Sequence, residues 1–303
     1  MKKNLVKFFI GIFLGGFLTY FINFSQIKLE NFLTAQITKP LEEINFVKIE
    51  KLKKPPLELD VKAALSIRLN PQKKIKEKVL FSKNENEILP IASLTKLITG
   101  IVVIEDQENY PLEKEIKISK DAASQEDVPD GNLKVGQKKT IEELLNLMLM
   151  FSSNDAAYAL AEQIGIENFV NKMNEKAKEI GLENTHFSNP TGLDPENLKW
   201  NLENKNYFNY STAKDLILLG KYILENYPLI FEFSTQKNKI QLLENQHLLG
   251  MKTGYTDEAG GCIFLIFSND NGDYFLNVIL GAKSKEERFL QMQKLIDWIN
   301  GKI

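Results

Sequence analysis

The N-terminal stretch of this chain has a composition that a water-soluble domain does not place on its surface. The 20 residues from Phe8 to Ile27 contain no charged side chain, and three lysines precede them. About 20 apolar residues suffice to span a bilayer as a helix. The positive-inside rule keeps the lysines in the cytoplasm and places everything after Lys28 outside. We therefore expect residues 1–27 to form a basic flank and a transmembrane anchor. The protein would be a single-pass protein of the cell membrane, with its folded domain on the extracytoplasmic side.

A cleaved signal peptide is the alternative to this anchor. Residues 19–27 read TYFINFSQI and contain no small-x-small cleavage site, which favours an uncleaved anchor. Residues 28–59 mix charged and scattered apolar side chains, a composition typical of a stalk or linker. We expect residues 60–303 to form the folded domain.

The composition excludes several classes of protein. The chain has 303 residues, 43% of them hydrophobic, which is enough for a large core. Its net charge of −2 predicts no basic face and hence no nucleic-acid partner. Cys262 is the single cysteine, so an internal disulfide is excluded, and we expect it to be a buried small apolar residue. Two widely spaced histidines without cysteine partners do not predict a zinc site, and we expect neither a metal nor a cofactor.

The apolar patterns predict an α/β fold in which helices cover an antiparallel sheet. The segments AALSIRL and KVLFS are predicted strands, separated by the turn residues Asn70 and Pro71. Two later apolar segments, CIFLIFS and YFLNVILGA, flank an Asn-Asp-Asn-Gly sequence and predict a hairpin, with Met251–Tyr255 as the strand before it. A mostly helical region is expected at about residues 140–180. The last helix should cover the sheet.

The segment ASLTK, residues 92–96, places a serine and a lysine three residues apart before an apolar run. Serine is a favoured N-cap residue. Ser93 is therefore either a nucleophile or the N-cap of an ordinary buried helix.

A second segment joins two predicted helices. Thr140 and Glu143 form a capping box before an apolar run, and that helix should end near Ser152. The sequence Ser152-Ser153-Asn154 then interrupts the apolar pattern. By itself it predicts a helix–helix turn with Ser153 or Asn154 as a cap.

A third segment, Lys252-Thr253-Gly254, lies in the strand before the hairpin. Lys252 can mark an exposed sheet edge, where lysine discourages aggregation. Gly254 lacks a Cβ and so permits close approach by another chain segment or a ligand.

In this order, Ser-x-x-Lys, Ser-x-Asn and Lys-Thr-Gly resemble the signature of the penicillin-binding protein and serine β-lactamase superfamily. The flanking sequences resemble one branch of it, the S11-like D-alanyl-D-alanine carboxypeptidases of low molecular mass; they read PIASLTKLITG, SSNDAAYALAE, FSNPTGLD, YSTAKDL and GMKTGYTDEAGGC. The resemblance runs from about Ala63 to Trp298. It implies a carboxypeptidase that removes the terminal D-alanine from peptidoglycan stem peptides through a Ser93 acyl-enzyme, with β-lactam antibiotics as inhibitors.

Acyl transfer by a serine requires a group that removes the hydroxyl proton. No Ser-His-Asp set is evident, so a lysine has to serve, and at i and i+3 on a helix Ser93 and Lys96 share one face. Lys96 needs burial or a nearby cation to lose its proton, and Lys252 can supply that charge while itself staying cationic. At the helix start, the backbone N–H of Ser93 lies where an oxyanion would be stabilised.

The remaining roles are implied by the resemblance. Ser152 would relay protons to the leaving amine, and Asn154 would orient Lys96 and hold the substrate amide. Lys252 and Thr253 would bind the terminal carboxylate, which a cationic lysine and a hydroxyl suit. The backbone N–H of Tyr255 would complete the oxyanion hole. Arg288 either assists with the carboxylate or lies on a solvated helix face. The implied site residues are, as catalytic, Ser93, Lys96, Ser152 and Asn154 and, as substrate-binding, Lys252, Thr253, Gly254 and Tyr255.

Two features depart from the family pattern. The chain ends in a predicted helix where a C-terminal β-domain and an amphipathic anchor are common, so we expect the N-terminal span to replace that anchor. The approach to GMKTG also looks shorter than usual, which affects the rim of the cleft.

Two classes of alternative remain open. One is a D,D-endopeptidase or a β-lactamase on the same scaffold, although Ser153 stands where a class A β-lactamase carries aspartate. The other is a catalytically silent peptidoglycan-binding protein, for which we would expect the loss of Ser93, Lys96 or Lys252. All three are present.

Overall fold

The computed structural model describes residues 56–70, 75–125, 132–198, 208–235 and 246–301. These residues lie within one compact unit, Phe46–Ile303. The strands are β1 Ala63–Asn70, β2 Ile75–Lys83, β3 Leu89–Pro90, β4 Glu115–Lys117, β5 Lys138–Thr140, β6 Tyr210–Ser211, β7 His247–Thr256, β8 Gly260–Ser268 and β9 Tyr274–Ala282.

A five-stranded antiparallel sheet with the order β2-β1-β9-β8-β7 forms the centre of the unit. The predicted hairpin is present as β8 and β9, with Phe264 opposite Val278. The side chain of Asn269 accepts hydrogen bonds from the backbone of Asn271 and Asp273 and so shapes the turn. Because β1 pairs with β9, β7 is left at the edge of the sheet. The two short pairs, β3 with β6 and β4 with β5, are also antiparallel.

Helices cover both faces of the sheet. They are α1 Lys96–Glu105, α2 Ile141–Met150, α3 Asn154–Ala161, α4 Ile166–Ile180, α5 Ala213–Asn226, α6 Leu229–Thr235 and α7 Glu287–Ile299. Successive residues of a strand face opposite sides. In β8, Ile263 and Leu265 accordingly belong to the cluster that includes α7, whereas Phe264 and Ile266 belong to the larger core of the other helices. The predicted covering of the sheet by the last helix is therefore confirmed.

The helical region predicted near residues 140–180 comprises α2, α3 and α4. The capping box at its start is confirmed, since Thr140 Oγ1 accepts from the Glu143 backbone N–H and the Glu143 carboxylate accepts from the Thr140 N–H. The first helix ends at Met150, close to the predicted end near Ser152. The α/β architecture is as the sequence predicts.

The predicted membrane span and residues 28–55 of the predicted stalk lie outside the described residues. Within the described ranges, no helix is both long enough and apolar enough to cross a membrane. The domain boundary at residue 60 stays a prediction.

Candidate active site

Ser93 lies on a tight turn that leads into α1, and Lys96 is the first residue of that helix. Residues Ala92–Thr95 form a 3₁₀ turn, and the α-helix begins at Lys96. Residues three apart are aligned in a 3₁₀ helix, which brings Lys96 Nζ to 2.9 Å from Ser93 Oγ. The N-cap of the turn is Ile91 and that of the α-helix is Thr95. The interpretation of Ser93 as an N-cap is therefore wrong.

The amine of Lys96 is surrounded by oxygen acceptors. Besides Ser93 Oγ, it donates to Asn154 Oδ1 at 2.7 Å and to the backbone carbonyl of Thr191 at 2.6 Å. The Lys96 side chain is fully buried. Three acceptors match the three N–H groups of an ammonium ion. The site can therefore stabilise Lys96 after it has accepted a proton from a neighbouring hydroxyl.

The segment Ser152-Ser153-Asn154 joins α2 to α3. Ser152 has a left-handed backbone conformation, with φ of 63°, which is uncommon for residues other than glycine. Ser153 Oγ accepts from the Ala156 N–H at 3.2 Å and is the N-cap of α3. The predicted capping role thus falls to Ser153, and Asn154 contacts Lys96.

Lys252 on β7 reaches the same site. Its Nζ donates to Ser152 Oγ at 2.7 Å and to the carbonyl of Thr253 at 3.0 Å. Only 3% of the residue is exposed, so its interpretation as an exposed edge lysine is wrong. Burial lowers the pKa of Lys252 well below its ordinary value, and the charges of Lys96 and Arg288 lower it further. These surroundings oppose the expectation that Lys252 stays cationic. A bound anion beside it would favour the charged form.

Gly254 brings β7 against the 3₁₀ turn. A Cβ on Gly254 would lie 2.8 Å from the backbone nitrogen of Ser93, so the predicted close approach is confirmed. Thr253 and Tyr255 flank Gly254 on this edge strand, opposite β8. Arg288 of α7 donates from Nη1 to the Gly254 carbonyl at 2.6 Å. Arg288 therefore braces β7, a role that neither interpretation of this residue predicted.

A loop to which the sequence reasoning assigned no role completes the site. This loop, residues 187–194, carries the Thr191 carbonyl that contacts Lys96. Gly192 has φ of 83°, and a Cβ there would lie 2.1 Å from the Ala92 carbonyl oxygen. Pro-Thr-Gly predicts a turn, but no signal in the sequence indicates which backbone carbonyl faces an amine.

The arrangement supports attack by a serine hydroxyl with a lysine as the base. The two histidines lie elsewhere, since the His186 ring packs 5.7 Å from that of Tyr210 and His247 lies exposed beside Asp270. Ser93 Oγ is instead one of the three oxygens that hold the Lys96 amine. Nearby, the hydroxyl of Ser152 contacts the amine of Lys252. These groups can move a proton and attack a carbonyl carbon.

Comparison with known proteins supports this chemistry. The family model for D-alanyl-D-alanine carboxypeptidase, peptidase S11, matches residues 52–284. The D-alanyl-D-alanine carboxypeptidase DacF of Bacillus subtilis is 34% identical over 244 residues, which cover 73% of this chain and 58% of that protein. The D-alanyl-D-alanine endopeptidase of Pseudomonas aeruginosa is 31% identical over 242 residues, which cover 73% of this chain and 73% of that protein. The chain thus spans less than two thirds of the length of DacF.

Solved structures of two proteins have a similar fold. The peptidoglycan synthesis regulatory factor PBP3 of Streptococcus pneumoniae superimposes with a TM-score of 0.70 at 27% identity, covering 81% of this chain and 72% of that chain. Penicillin-binding protein D2 of Listeria monocytogenes, in its ampicillin-bound form, gives a TM-score of 0.63 at 27% identity, covering 80% of this chain and 99% of that chain. Because the family model matches well over half of its residues, this chain belongs to the D-alanyl-D-alanine carboxypeptidase family, peptidase S11.

Proposed function

We propose that this protein is a serine D-Ala-D-Ala carboxypeptidase that removes the terminal D-alanine from peptidoglycan stem peptides. The observation that carries the proposal is the position of the buried Lys96 amine, 2.9 Å from Ser93 Oγ and held by two further oxygens. Membership of the family and the matching order of the three motifs support it. The proposed reaction uses side chains and backbone groups of the chain together with one water molecule.

In the proposed reaction, Ser93 Oγ forms a bond to the carbonyl carbon of the penultimate D-alanine while its proton passes to Lys96. The backbone N–H groups of Ser93 and Tyr255 stabilise the oxyanion. The C–N bond then breaks, and a proton delivered through Ser152 leaves with D-alanine. Asn154 holds Lys96 and the substrate amide. Water completes the cycle by hydrolysing the Ser93 ester.

The terminal carboxylate of the substrate would bind at β7. Lys252 and Thr253 supply an amine and a hydroxyl, and Gly254 leaves room for the close approach of β7 to Ser93. The carboxylate favours protonation of Lys252, which burial opposes in the free protein. A β-lactam carries a carboxylate and a reactive carbonyl, and ampicillin binding by the Listeria relative supports β-lactams as inhibitors of this protein too.

Labelled penicillin tests the proposal. Wild-type protein should acquire one label on Ser93 and should release D-alanine from a stem pentapeptide, whereas Ser93→Ala should do neither. Ser82→Ala is a matched control, because Ser82 lies on β2, at the opposite edge of the sheet from β7, and it should label normally. Undiminished labelling of Ser93→Ala would contradict the proposal.

A D,D-endopeptidase is the second candidate. It is favoured by the Pseudomonas relative, which carries that name and matches over 73% of its length. The two activities are separated by comparing D-alanine release from a pentapeptide with cleavage of a cross-linked dimer. Faster cleavage of the dimer would assign the endopeptidase function.

For the location we propose a single-pass anchor in the cell membrane, with the catalytic domain on the extracytoplasmic side. The uncharged residues 8–27 and the lysines before them support it. The proposed substrate, peptidoglycan, lies on that side.

A further inference from the structure

A buried amide side chain connects the 3₁₀ turn to the loop 187–194. Asn209 is 3% exposed and immediately precedes β6. Its Nδ2 donates to Thr95 Oγ1 at 3.0 Å and to the Asn189 carbonyl at 2.8 Å. Its Oδ1 accepts from the backbone N–H groups of Ser188 and Asn189 at 2.7 and 3.1 Å and from the Ser188 hydroxyl at 2.9 Å. Both the donors and the acceptor of this amide are therefore engaged.

One branch of these contacts leads to Ser93. The Thr95 hydroxyl accepts from Asn209 and donates to the Ala92 carbonyl at 2.8 Å. Ala92 has φ of 47°, a conformation that alanine rarely adopts without support from its surroundings. Because Ala92 immediately precedes Ser93, the Thr95 hydroxyl helps to set the orientation of the nucleophile and its N–H.

The other branch leads to Lys96. Asn189 Oδ1 accepts from the backbone and hydroxyl of Thr191 at 3.1 and 2.9 Å and from the Gly192 N–H at 2.7 Å. These bonds fix the peptide units on both sides of Thr191, whose carbonyl contacts Lys96 Nζ at 2.6 Å. Asn209 in turn holds Asn189 by both its N–H and its carbonyl.

We propose that Asn209 is a positioning residue, whose single side chain aligns Ser93 through Thr95 and the acceptor carbonyl of Lys96 through Asn189. The inference rests on the proposed acyl transfer. Asn209 does not take part in the β7 contacts assigned to the carboxylate, so its loss should slow acylation and leave substrate affinity unchanged.

The test compares variants of the full chain by their rate of acylation with labelled penicillin. Asn209→Leu removes both branches, and Thr95→Val removes the hydroxyl at nearly constant shape. Thr95→Ser restores the hydroxyl. The matched control is Asn174→Leu, because Asn174 also holds this loop through the N–H and carbonyl of Phe187 but bonds to α4 rather than to the 3₁₀ turn.

Asn209→Leu and Thr95→Val should each slow Ser93 acylation by about tenfold or more at neutral pH, the effect expected when buried hydrogen bonds no longer align reacting groups. Thr95→Ser should react at close to the wild-type rate. In Asn209→Leu the acid limb of the acylation rate should also move to lower pH, because the protonated amine of Lys96 loses a fixed acceptor. Asn174→Leu should lower the Tm while leaving the acylation rate and its pH profile unchanged.

Wild-type rates and pH profiles in both Asn209→Leu and Thr95→Val would overturn the inference, while wild-type labelling of Ser93 still supported the proposed function. If Asn209→Leu does not fold, the two Thr95 variants decide. If the wild-type protein is itself not labelled, the proposed function fails and a crystal structure of Asn209→Leu decides the inference. We expect that structure to show the Thr191 carbonyl displaced from Lys96 or Ala92 relaxed from its positive φ. An unchanged site would overturn the inference.

Discussion

Lys96 and Lys252 place two amines in one buried site, and their surroundings differ. Lys96 has three oxygen acceptors from three segments of the chain, which match the N–H groups of its ammonium form. Lys252 is held by the Ser152 hydroxyl and the Thr253 carbonyl, and burial is the largest cause of its lowered pKa. A charged Lys252 therefore destabilises the folded state as long as no anion is bound beside it.

The cost of burying the charge of Lys252 predicts how Lys252→Met changes the stability of the folded protein. The folded-state pKa lies below that of the unfolded chain, so the folded wild type binds fewer protons between the two values and gains stability as the pH rises. At pH values below this window, the variant should exceed the wild type by roughly 1–3 kcal/mol in free energy of unfolding, because a buried charge is removed. The advantage should shrink as the pH rises towards 10.5, the ordinary lysine value.

Urea unfolding from about pH 5 to about pH 9 measures this difference. The exposed Lys120 provides the matched control Lys120→Met, which should show no comparable gain. Two outcomes would contradict the conclusion that burial lowers the pKa of Lys252. One is a wild type that is more stable than Lys252→Met at acid pH, and the other is a stability advantage of the variant that grows with pH.

At the scale of elements, the site is formed where β7, the 3₁₀ turn and the loop 187–194 meet. Two glycines allow the backbones to come this close. Gly254 brings β7 to the Ser93 nitrogen, and Gly192 brings the loop to the Ala92 carbonyl. The spacing of these backbones determines how Ser93 faces β7, where we propose that the terminal carboxylate of the substrate binds.

Replacement by alanine should therefore act differently at two glycines, slowing acylation at one and raising stability at the other. In Gly254→Ala the new Cβ would lie 2.8 Å from Ser93 N, so β7 has to shift, and acylation should fall by about tenfold or more. Gly100, inside α1, has room, because its new Cβ would meet Ile230 and Leu149 at 3.6 Å and 3.7 Å. Gly100→Ala should raise the free energy of unfolding by roughly 0.5–1 kcal/mol through helix propensity.

The test compares the rate of acylation by penicillin and the thermal unfolding of Gly254→Ala and Gly100→Ala with those of the wild type. Gly254→Ala acylating at the wild-type rate would mean that β7 does not set the geometry around Ser93.

For the whole molecule, the sheet order explains how distant motifs share one site. The hairpin β8–β9 and the pairing of β9 with β1 place β7 at the sheet edge, and the 3₁₀ turn packs against that edge. The helices α2 and α3 bring the Ser152–Asn154 junction to the same place. Segments more than 50 residues apart, such as Lys96 and Asn154, thereby come into contact.

The proposed membrane topology has its own test. Protease added outside intact cells should digest the folded domain, since we place everything after Lys28 on that side. A C-terminal tag followed by immunoblotting measures the loss. Protection of the full-length protein, or a soluble mature form that starts after Gln26, would contradict the anchored topology.

The sequence by itself determined the local elements and the family. The capping box at Thr140 and the hairpin after Lys252 follow from rules that act within a few residues. The order of the three motifs predicted the family. It also predicted four site residues that the structure brings together, namely Ser93, Lys96, Asn154 and Lys252. Local structure can be predicted from a sequence because residues that are close in the chain remain close in the fold.

Tertiary structure alone decided how those groups are supported. The Thr191 carbonyl, the Arg288 contact with Gly254 and the Asn209 bonds could not be predicted, because every residue has backbone polar groups and only the folded path shows which of them meet. The lowered pKa of Lys252 was likewise not predicted, since burial comes from the packing of several elements around one amine. Such contacts join residues far apart in the chain, and their energies depend on three-dimensional distance, which a linear sequence does not contain.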